Sequence, residues 1–281
     1  MKQKLLYNKR SCESITMKGQ EGRQMIFETH AHYEDAAFDE DRKELLESLP
    51  KNNIEYVVNV SSSIKTVDES LALADSYDFI YATVGIHPGE TMNLDEDTFM
   101  WLKEKAKHKK VVAIGEIGLD YYWDTHDREI QKKWFARQME LAKELNLPLV
   151  IHSRDAANDT FNMMKEAKAE ESGAILHCFG YGVEQARQYL NMGYYLGIGG
   201  VVTFTNGRKL KEVVEYAPLE QLVLETDCPY LSPVPYRGKR NSSLNLPLIA
   251  REIARIKNID YDTVIRITYE NAKKFYFKTK G

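Results

Sequence analysis

The sequence predicts an α/β protein, a TIM-type (β/α)8 barrel in a single domain with extra helices at its C-terminal end. The length of 281 residues suits one such barrel, which typically has roughly 250 residues. From residue 25 onward, short apolar runs alternate with longer amphipathic segments, and residues typical of metal ligands stand where the apolar runs end. Apolar strands alternating with helices indicate a parallel sheet that is covered by helices.

Eight apolar runs are the predicted strands of this sheet. An open, doubly wound sheet would have the same periodicity, because spacing alone does not close a barrel. We favour closure because the polar residues lie at the ends of the runs, where barrel enzymes build their sites. The predicted strands are 25–29, 54–60, 79–86, 111–117, 148–152, 173–178, 194–199 and 221–226.

The segments between the strands have helical periodicity. Ile130, Trp134 and Leu141, for example, fall on one face of a helix. Two further helical stretches follow the last strand and complete the domain. The clearest predicted helices are 64–77 with Ser63 as its N-cap, 127–146, 244–257 and 260–277.

We assign residues 25–281 to the barrel and residues 1–24 to a poorly ordered extension outside it. A content of 43% hydrophobic and 28% charged residues is typical of a soluble globular enzyme. No apolar run approaches the ~20 residues of a membrane-spanning helix, and the first residues lack a signal-peptide core. We therefore expect a cytoplasmic enzyme with no membrane association, and no obligate protein partner is evident.

Charge and cysteine content exclude several classes of function. The net charge of −4 lacks the basic excess of proteins that coat nucleic acid, so such a substrate would be held through a few local phosphates. The odd, sparse count of three cysteines argues against a disulfide framework, and the lack of a Cys-x-x-Cys pair argues against a cysteine zinc site. Because neighbours in a strand face opposite ways, we expect Cys178 and Cys228 to be buried in the barrel wall.

Several predicted strands end on residues that commonly bind metals. His30 and His32 are two apart in an extended segment, so both face the same side. Barrel enzymes place such residues at the C-terminal face of the sheet. His108 and His126 lie in other segments, and we expect them at the surface. The six candidate ligands are His30, His32, Glu116, His152, His177 and Asp227.

The mixture of imidazole and carboxylate groups predicts a transition-metal type of site. Such ligands suit Zn, Mn, Fe or Co better than Ca. Six ligands exceed what one tetrahedral ion needs, and they fit a pair of ions ~3.5–4 Å apart that share a carboxylate. Such a pair ionises water at neutral pH and stabilises charge on a phosphoryl or acyl oxygen.

The same residues lie in motifs that closely resemble the TatD family of metal-dependent deoxyribonucleases, within the amidohydrolase-like barrel superfamily. The resemblance covers about 25–277, and Gly-Glu-Ile-Gly-Leu-Asp-Tyr is its most specific piece. In chain order the motifs are Phe27-Glu28-Thr29-His30-Ala31-His32, Gly85-Ile86-His87-Pro88, Gly115-Glu116-Ile117-Gly118-Leu119-Asp120-Tyr121, Pro148-Leu149-Val150-Ile151-His152-Ser153-Arg154, Leu176-His177-Cys178-Phe179-Gly180 and Glu225-Thr226-Asp227-Cys228-Pro229-Tyr230-Leu231.

This resemblance implies a hydrolase of ester bonds that cleaves the phosphodiester bonds of DNA. It implies a 3′-5′ exonuclease acting on single-stranded ends, with two divalent metal ions per chain, Zn, Mg or Mn. Asp227 and Glu116 would be its catalytic residues, and Asp227 would take a proton from the attacking water. The resemblance assigns one ion to His30, His32 and Asp227, the other to His152 and His177, and the bridge between them to Glu116.

Two motifs depart from the family pattern. The first motif usually begins with Asp, whereas this chain has Glu28, whose longer side chain can still support a ligand. The family's basic loop usually runs into Asn-Glu-Pro. In this chain Arg237-Gly238-Lys239-Arg240 runs into Asn241-Ser242-Ser243, which puts the substrate contacts of that loop in doubt.

A further set of residues is predicted to contact substrate, each with a plainer alternative. A histidine at a strand end can be structural, an arginine can pair with a neighbouring aspartate, an aromatic can pack on the rim, and a basic loop can be merely solvated. Asp120 is predicted to orient a ligand rather than to bind metal, because it lies beyond the predicted fourth strand. The candidate substrate contacts are His87, Arg154, Tyr121, Arg237, Lys239 and Arg240.

Two other functions fit the same barrel. A relative of the amidohydrolases would hydrolyse a small amide, ester or phosphate ester. Many such enzymes bridge their ions with a carboxylated lysine, whereas this chain has Glu116 at the corresponding place, which favours the nuclease. A non-catalytic metal-binding barrel is the third reading, and the intact ligand set argues against it.

Overall fold

The computed structural model describes residues 24–123 and 126–277. The predicted extension 1–24 therefore lies almost wholly outside the described residues. No helix within the described ranges is both long and apolar enough to cross a membrane.

Eight parallel strands form one sheet in which every strand pairs with its neighbours in chain order. Four of them are buried at every residue and the others over at least half of their length, as expected for strands that are covered on both faces. All eight predicted strands are confirmed. They are Ile26–Ala31 (β1), Ile54–Asn59 (β2), Ile80–Val84 (β3), Val111–Asp120 (β4), Leu149–Arg154 (β5), Ala174–Leu176 (β6), Tyr195–Ile198 (β7) and Leu222–Leu224 (β8).

The sheet closes on itself where β1 meets the segment after β8. Ala31 forms a parallel bridge with Cys228. The backbone of His32 donates to the Cys228 carbonyl, and that of Asp227 donates to the His30 carbonyl. These contacts make the sheet a barrel, so the predicted (β/α)8 fold is confirmed over the open-sheet alternative.

Nine α-helices of the described residues surround the barrel. The predicted cap of the second helix is confirmed, because the Ser63 hydroxyl oxygen accepts from the Thr66 N–H and the Thr66 hydroxyl oxygen accepts from the Ser63 N–H. The helices are Arg42–Ser48 (α1), Ile64–Ser76 (α2), Glu96–Lys105 (α3), Arg128–Leu145 (α4), Ala157–Glu166 (α5), Val183–Asn191 (α6), Arg208–Tyr216 (α7), Leu246–Lys257 (α8) and Tyr261–Tyr276 (α9).

The strand β4 is longer than predicted, and this corrects the position of Asp120. We expected the strand to end at residue 117, but it continues to Asp120, paired with Arg154 of β5. Gly118 allows the two strands to approach, since its φ is +145° and a Cβ there would collide with the His152 carbonyl. Asp120 is therefore part of the barrel wall.

The helix α9 packs against the N-terminal end of the barrel. Phe275 and Tyr276 are buried in an apolar cluster with Phe27 of β1. The Tyr276 hydroxyl donates to the Thr29 carbonyl over 2.9 Å. This packing fills one end of the barrel, which leaves the C-terminal ends of the strands open for a site.

Candidate active site

The six predicted ligands converge at the C-terminal end of the barrel. They come from β1, β4 and β5 and from the first residues after β1, β6 and β8. Histidine–carboxylate groups within ligand reach of one another include the trios His30, His32, Asp227 and His30, Glu116, His177. Residues far apart in sequence are thus brought to one place by the closure of the sheet.

The first trio confirms the expected geometry of the His-x-His motif. The Nε2 atoms of His30 and His32 lie 3.2 Å apart, so both rings face the same side of β1. Asp227 Oδ1 lies 3.3 Å from His32 Nε2 and 3.9 Å from His30 Nε2. Asp227 has a left-handed φ of 56°, which turns the chain just after β8 beside these two rings.

Glu116 lies between the remaining histidines. Its Oε1 is 2.8 Å from His152 Nδ1 and 3.8 Å from His177 Nε2. Its Oε2 is 3.6 Å from His30 Nε2. One carboxylate thus faces histidines from three strands, which is the position that a bridging ligand requires.

Three of the four histidines have a partner for the ring nitrogen that faces away from the cluster. His32 Nδ1 is 2.8 Å from the Val60 carbonyl, and His152 Nε2 is 3.0 Å from Asp120 Oδ2. His177 Nδ1 lies 3.2 Å from a Glu225 carboxylate oxygen, at ion-pairing distance rather than in a well-formed hydrogen bond. Such partners fix the ring and the tautomer of a histidine ligand.

Glu225 occupies a closed pocket behind His177. Its side chain is fully buried, and one oxygen accepts from the Cys178 N–H over 2.6 Å. Gly197 of β7 makes the space, because a Cβ there would collide with the Glu225 carboxylate. The sequence analysis did not single out Glu225, although its position two residues before Asp227 at a strand end was a signal.

Glu28, the departure from the family's first motif, ties β1 to the segment after β8. Its buried carboxylate accepts from the His30 N–H and from both the N–H and the hydroxyl of Thr226. Burial raises the pKa of Glu28 to about 8, although these hydrogen bonds oppose the rise. The longer side chain of Glu28 thus fixes the backbone at His30 and beside Asp227 through these hydrogen bonds.

The carboxylates of the cluster favour the charged form of some histidines. Burial opposes protonation of His177, but Glu225 and Glu116 outweigh it and raise its pKa to about 9. Conversely, burial alone would raise the pKa of Asp227, yet His32 and His177 hold it below its usual value. Glu116 is likewise ionised, because His152 and His177 outweigh the effect of its burial.

The donor set fits divalent metal ions. Four imidazoles and two ionised carboxylates form one cluster, in which neighbouring pairs are separated by 2.8 to 3.9 Å. Buried charge of this density needs compensation, and a cation between the donors supplies it. Imidazole with carboxylate suits Zn, Mn, Fe or Co, and the Glu116 position allows one carboxylate to serve two ions.

A cleft of about 1120 Å³ opens above the cluster. His87 and Arg154, two of the predicted substrate contacts, line it. The His87 ring accepts the Gly89 N–H at Nδ1, so its proton is on Nε2, which lies 3.8 Å from Glu116. Arg154 is stacked on Tyr122, with its Cζ 3.7 Å from the ring centroid, and forms neither of the aspartate pairs considered as alternatives.

The other predicted substrate contacts do not line the cleft. Tyr121 is half-buried, and its hydroxyl donates to Asp159 over 2.7 Å. Arg240 forms a two-bond ion pair with Asp41 and also donates to the Ala37 carbonyl. Arg237 lies over the Phe204 ring. Lys239 is in the same exposed turn. Arg240 thus ties the loop after β8 to the segment before α1, and the substrate roles of these residues stay predictions.

The cleft also contains residues that the sequence analysis missed or misplaced. Lys65 and Lys209 line it, but as isolated residues on helices they carried no motif signal. Tyr230 also lines it and lies in the last family motif, but the sequence analysis gave it no role. Cys178 lines it too, against the expectation that it points into the wall. The strand alternation ends at Leu176, and Cys178 has a left-handed φ of 45°, so the rule for strands does not apply to it. Cys228 is fully buried as predicted.

Comparison with known proteins is consistent with this site. Residues 27–277 match the family described as TatD related DNase. The chain is 44% identical to an uncharacterized metal-dependent hydrolase of Bacillus subtilis, YabD, over 90% of this chain and 99% of that protein. It is 31% identical to a protein of Rahnella named 3′-5′ ssDNA/RNA exonuclease TatD, over 89% of this chain and 98% of that protein.

The fold agrees with that of a solved relative. The crystal structure of YjjV, a TatD homolog from Escherichia coli, superposes with a TM-score of 0.85 at 26% identity. The match covers 90% of this chain and 98% of that one. The likeness thus extends over the whole barrel rather than over a shared fragment.

Proposed function

The chain belongs to the family of TatD-related DNases and is a metal-dependent hydrolase; from this premise we propose that it is a 3′-5′ exonuclease acting on single-stranded ends of DNA. The observation that carries the proposal is the position of Glu116, a carboxylate shared by histidines of three strands at the floor of an open cleft. A site with this donor set is suited to phosphodiester hydrolysis by two divalent ions.

In this proposal His30, His32 and Asp227 would hold one ion, His152 and His177 would hold the other, and Glu116 would serve both. When bound, the ions would lower the pKa of a water molecule and neutralise charge on the phosphoryl oxygens.

Asp227 is the residue best suited to take a proton in the cleft. Its side chain is 16% exposed, whereas that of Glu116 is 6% exposed, so Asp227 is more open to a water molecule. Because its pKa is held below the usual value, it is ionised at neutral pH and can accept a proton.

His87 is suited to donate a hydrogen bond to the substrate. Burial and the neighbouring His152 lower its pKa to about 3, so the ring is neutral at neutral pH. Since Nδ1 accepts from Gly89, the Nε2–H is the free donor, and it faces the cluster. A phosphoryl oxygen at the cluster would accept this bond, which becomes stronger as negative charge develops.

The proposal is tested by cleavage of a 5′-labelled single-stranded oligonucleotide. Metal-stripped protein is reloaded with Mg, Mn or Zn, and Asp227→Ala and the exposed Asp97→Ala are assayed alongside. We expect a ladder that shortens from the 3′ end for the wild type and Asp97→Ala. We expect a loss of about 100-fold or more for Asp227→Ala, since one base contributes that much. Cleavage without metal would contradict the proposal.

The amidohydrolase alternative is disfavoured by the same cluster. The Glu116 carboxylate lies among His152, His177 and His30, at the place where many such enzymes have a carboxylated lysine. If no oligonucleotide is cleaved with any metal, lactones, amides and small phosphate esters become the substrates to assay.

A further inference from the structure

We propose that Tyr122, Trp123 and Arg154 form a stacking platform for the nucleobases of a single strand, at the rim of the cleft. We call these three residues the rim platform. The inference rests on the proposed function, because it requires a polynucleotide substrate. The rim platform would be the part of the surface that selects unpaired strands over duplexes.

The rim platform exposes large aromatic surfaces beside the candidate ligands. Tyr122 is 52% exposed and Trp123 is 55% exposed. Their rings meet edge to face, with centroids 4.9 Å apart and an interplanar angle of 88°. Trp123 lines the cleft, and so does Arg154, whose guanidinium covers the Tyr122 ring.

The platform is held in a fixed relation to a candidate ligand by Asp120. One oxygen of Asp120 accepts the Tyr122 N–H over 2.9 Å, and the other lies 3.0 Å from His152 Nε2. The preceding residue, Tyr121, donates its N–H to the Arg154 carbonyl over 2.9 Å. A base bound on the platform would therefore stand at a set distance from the reacting phosphate.

Arg154 is available to bind a phosphate. Within the described part of the chain no carboxylate lies at ion-pairing distance from it, although Asp120 and Asp155 are its neighbours in register and in sequence. Its planar fork matches two phosphate oxygens, and stacking on Tyr122 fixes the plane of that fork. A phosphate on Arg154 and a base on Trp123 would be consecutive parts of one nucleotide chain.

These features fit single-stranded nucleic acid rather than a duplex. Aromatic side chains stack on any base whose face is free, so the binding tolerates sequence. In a duplex the base faces are already covered by their neighbours, and unstacking them costs free energy. The net charge of the whole chain is −4, so the local cation and aromatic rings provide the attraction at the cleft.

A second arginine–tyrosine pair serves as a matched control. Arg187 lies over the Tyr216 ring at 5.5 Å, and Tyr216 is 44% exposed. Unlike Arg154, Arg187 is ion-paired, with Glu184 at 2.8 Å, and neither residue lines the cleft. Tyr216→Ala therefore removes an exposed, arginine-stacked aromatic ring of the same chemistry away from the site.

The test measures KM and kcat for a single-stranded oligothymidylate with the metal-loaded protein. Trp123→Ala should raise KM about tenfold with a much smaller change in kcat, because one stacked base is lost. Trp123→Phe should keep most of the affinity, since a ring remains. Tyr216→Ala should match the wild type. An unchanged KM in Trp123→Ala would overturn the proposal.

Binding is also measured without catalysis, by tryptophan fluorescence with oligothymidylate in the presence of a chelator. Trp134 is 2% exposed and Trp101 is half-buried, so contact with a base should quench mainly the fluorescence of Trp123. The quenching should disappear in Trp123→Phe, and equal quenching in that variant would overturn the proposal. If the wild type cleaves no oligonucleotide, the proposed exonuclease function fails. The fluorescence measurement then shows separately whether the rim platform binds a single strand.

Discussion

At the scale of single residues, the orientation of His32, His152 and His177 depends on what the outer ring nitrogen of each contacts. Sequence analysis found the candidate ligands because histidine and carboxylate residues at strand ends form a recognisable pattern. It did not find Glu225, because Glu225 and Asp227 are both carboxylates at the same strand end. Only the left-handed φ of Asp227 separates the buried partner of His177 from the carboxylate that faces the cleft.

Glu225→Gln should weaken metal binding. The substitution keeps the size of the side chain but removes the negative charge beside His177 Nδ1. Loss of such a supporting carboxylate typically lowers metal affinity 10–100-fold, and we expect about that effect. The affinity is measured by competition with a chromogenic chelator, with the exposed Glu166→Gln as the control. Equal affinities in the two variants would contradict the role assigned to Glu225.

Metal loading at pH 7 should release protons. The pKa of His177 in the metal-free protein is about 9, so this ring is protonated at pH 7. A histidine binds metal only in its neutral form, so binding displaces the proton. The release from His177 should decline as the pH rises through about 9, because the ring then becomes neutral in the metal-free protein. Calorimetric titration in buffers of different ionisation enthalpy measures the release, and a heat independent of the buffer at pH 7 would contradict it.

At the scale of elements, glycines in the strands allow neighbouring groups to approach closely, and this approach positions the ligands. The apolar runs predicted all eight strands, because a strand that is buried on both faces has a continuous run of apolar residues in the sequence. They did not predict the end of β4, where Gly118 and Asp120 are residues that normally end a strand. The pairing with β5 across Gly118, a tertiary contact, extends the strand and places Asp120 beside His152.

Gly197→Ala should disturb the site through the buried carboxylate behind His177. The new methyl group would collide with the Glu225 carboxylate and displace it from His177. We expect a loss of about 1–3 kcal/mol in the free energy of unfolding, typical of overpacking, together with weaker metal binding. Gly199→Ala is the matched control, because its Cβ would meet Glu225 atoms only at 3.7 to 3.8 Å. Denaturant unfolding and chelator competition measure both effects, and equal behaviour of the two variants would contradict the account.

At the scale of the whole molecule, closure of the barrel makes one site from five distant segments. Periodicity predicted the number of units but could not distinguish a barrel from an open sheet, since both have the same strands. Closure depends on contacts between the first and last strands, such as the bridge from Ala31 to Cys228. The sequence also could not predict the basic residues that line the cleft, because the packing of their helices places Lys65 and Lys209 there.

The affinity for a single strand should depend only weakly on salt. Among the described residues, the lysine and arginine side chains that line the cleft are Lys65, Arg154 and Lys209, and Lys65 is 3.4 Å from Glu69. Each neutralised phosphate of a single strand contributes a slope of about 0.7, so three cations give a slope of about 2 at most. A plot of log KM against log salt concentration measures it. A much steeper slope would mean that the substrate contacts a larger basic surface, such as the loop with Arg237 and Lys239.

The central claim, that this cluster hydrolyses phosphodiester bonds with two ions, is tested most directly by titrating metal into metal-stripped protein. Cleavage of a single-stranded oligonucleotide is followed against the number of Mn ions bound per chain, in the wild type and in Glu116→Gln. We expect activity to rise to a plateau at two ions in the wild type and to be lost in the variant, which lacks the shared carboxylate. Full activity with no bound metal, or undiminished activity in Glu116→Gln, would contradict the account.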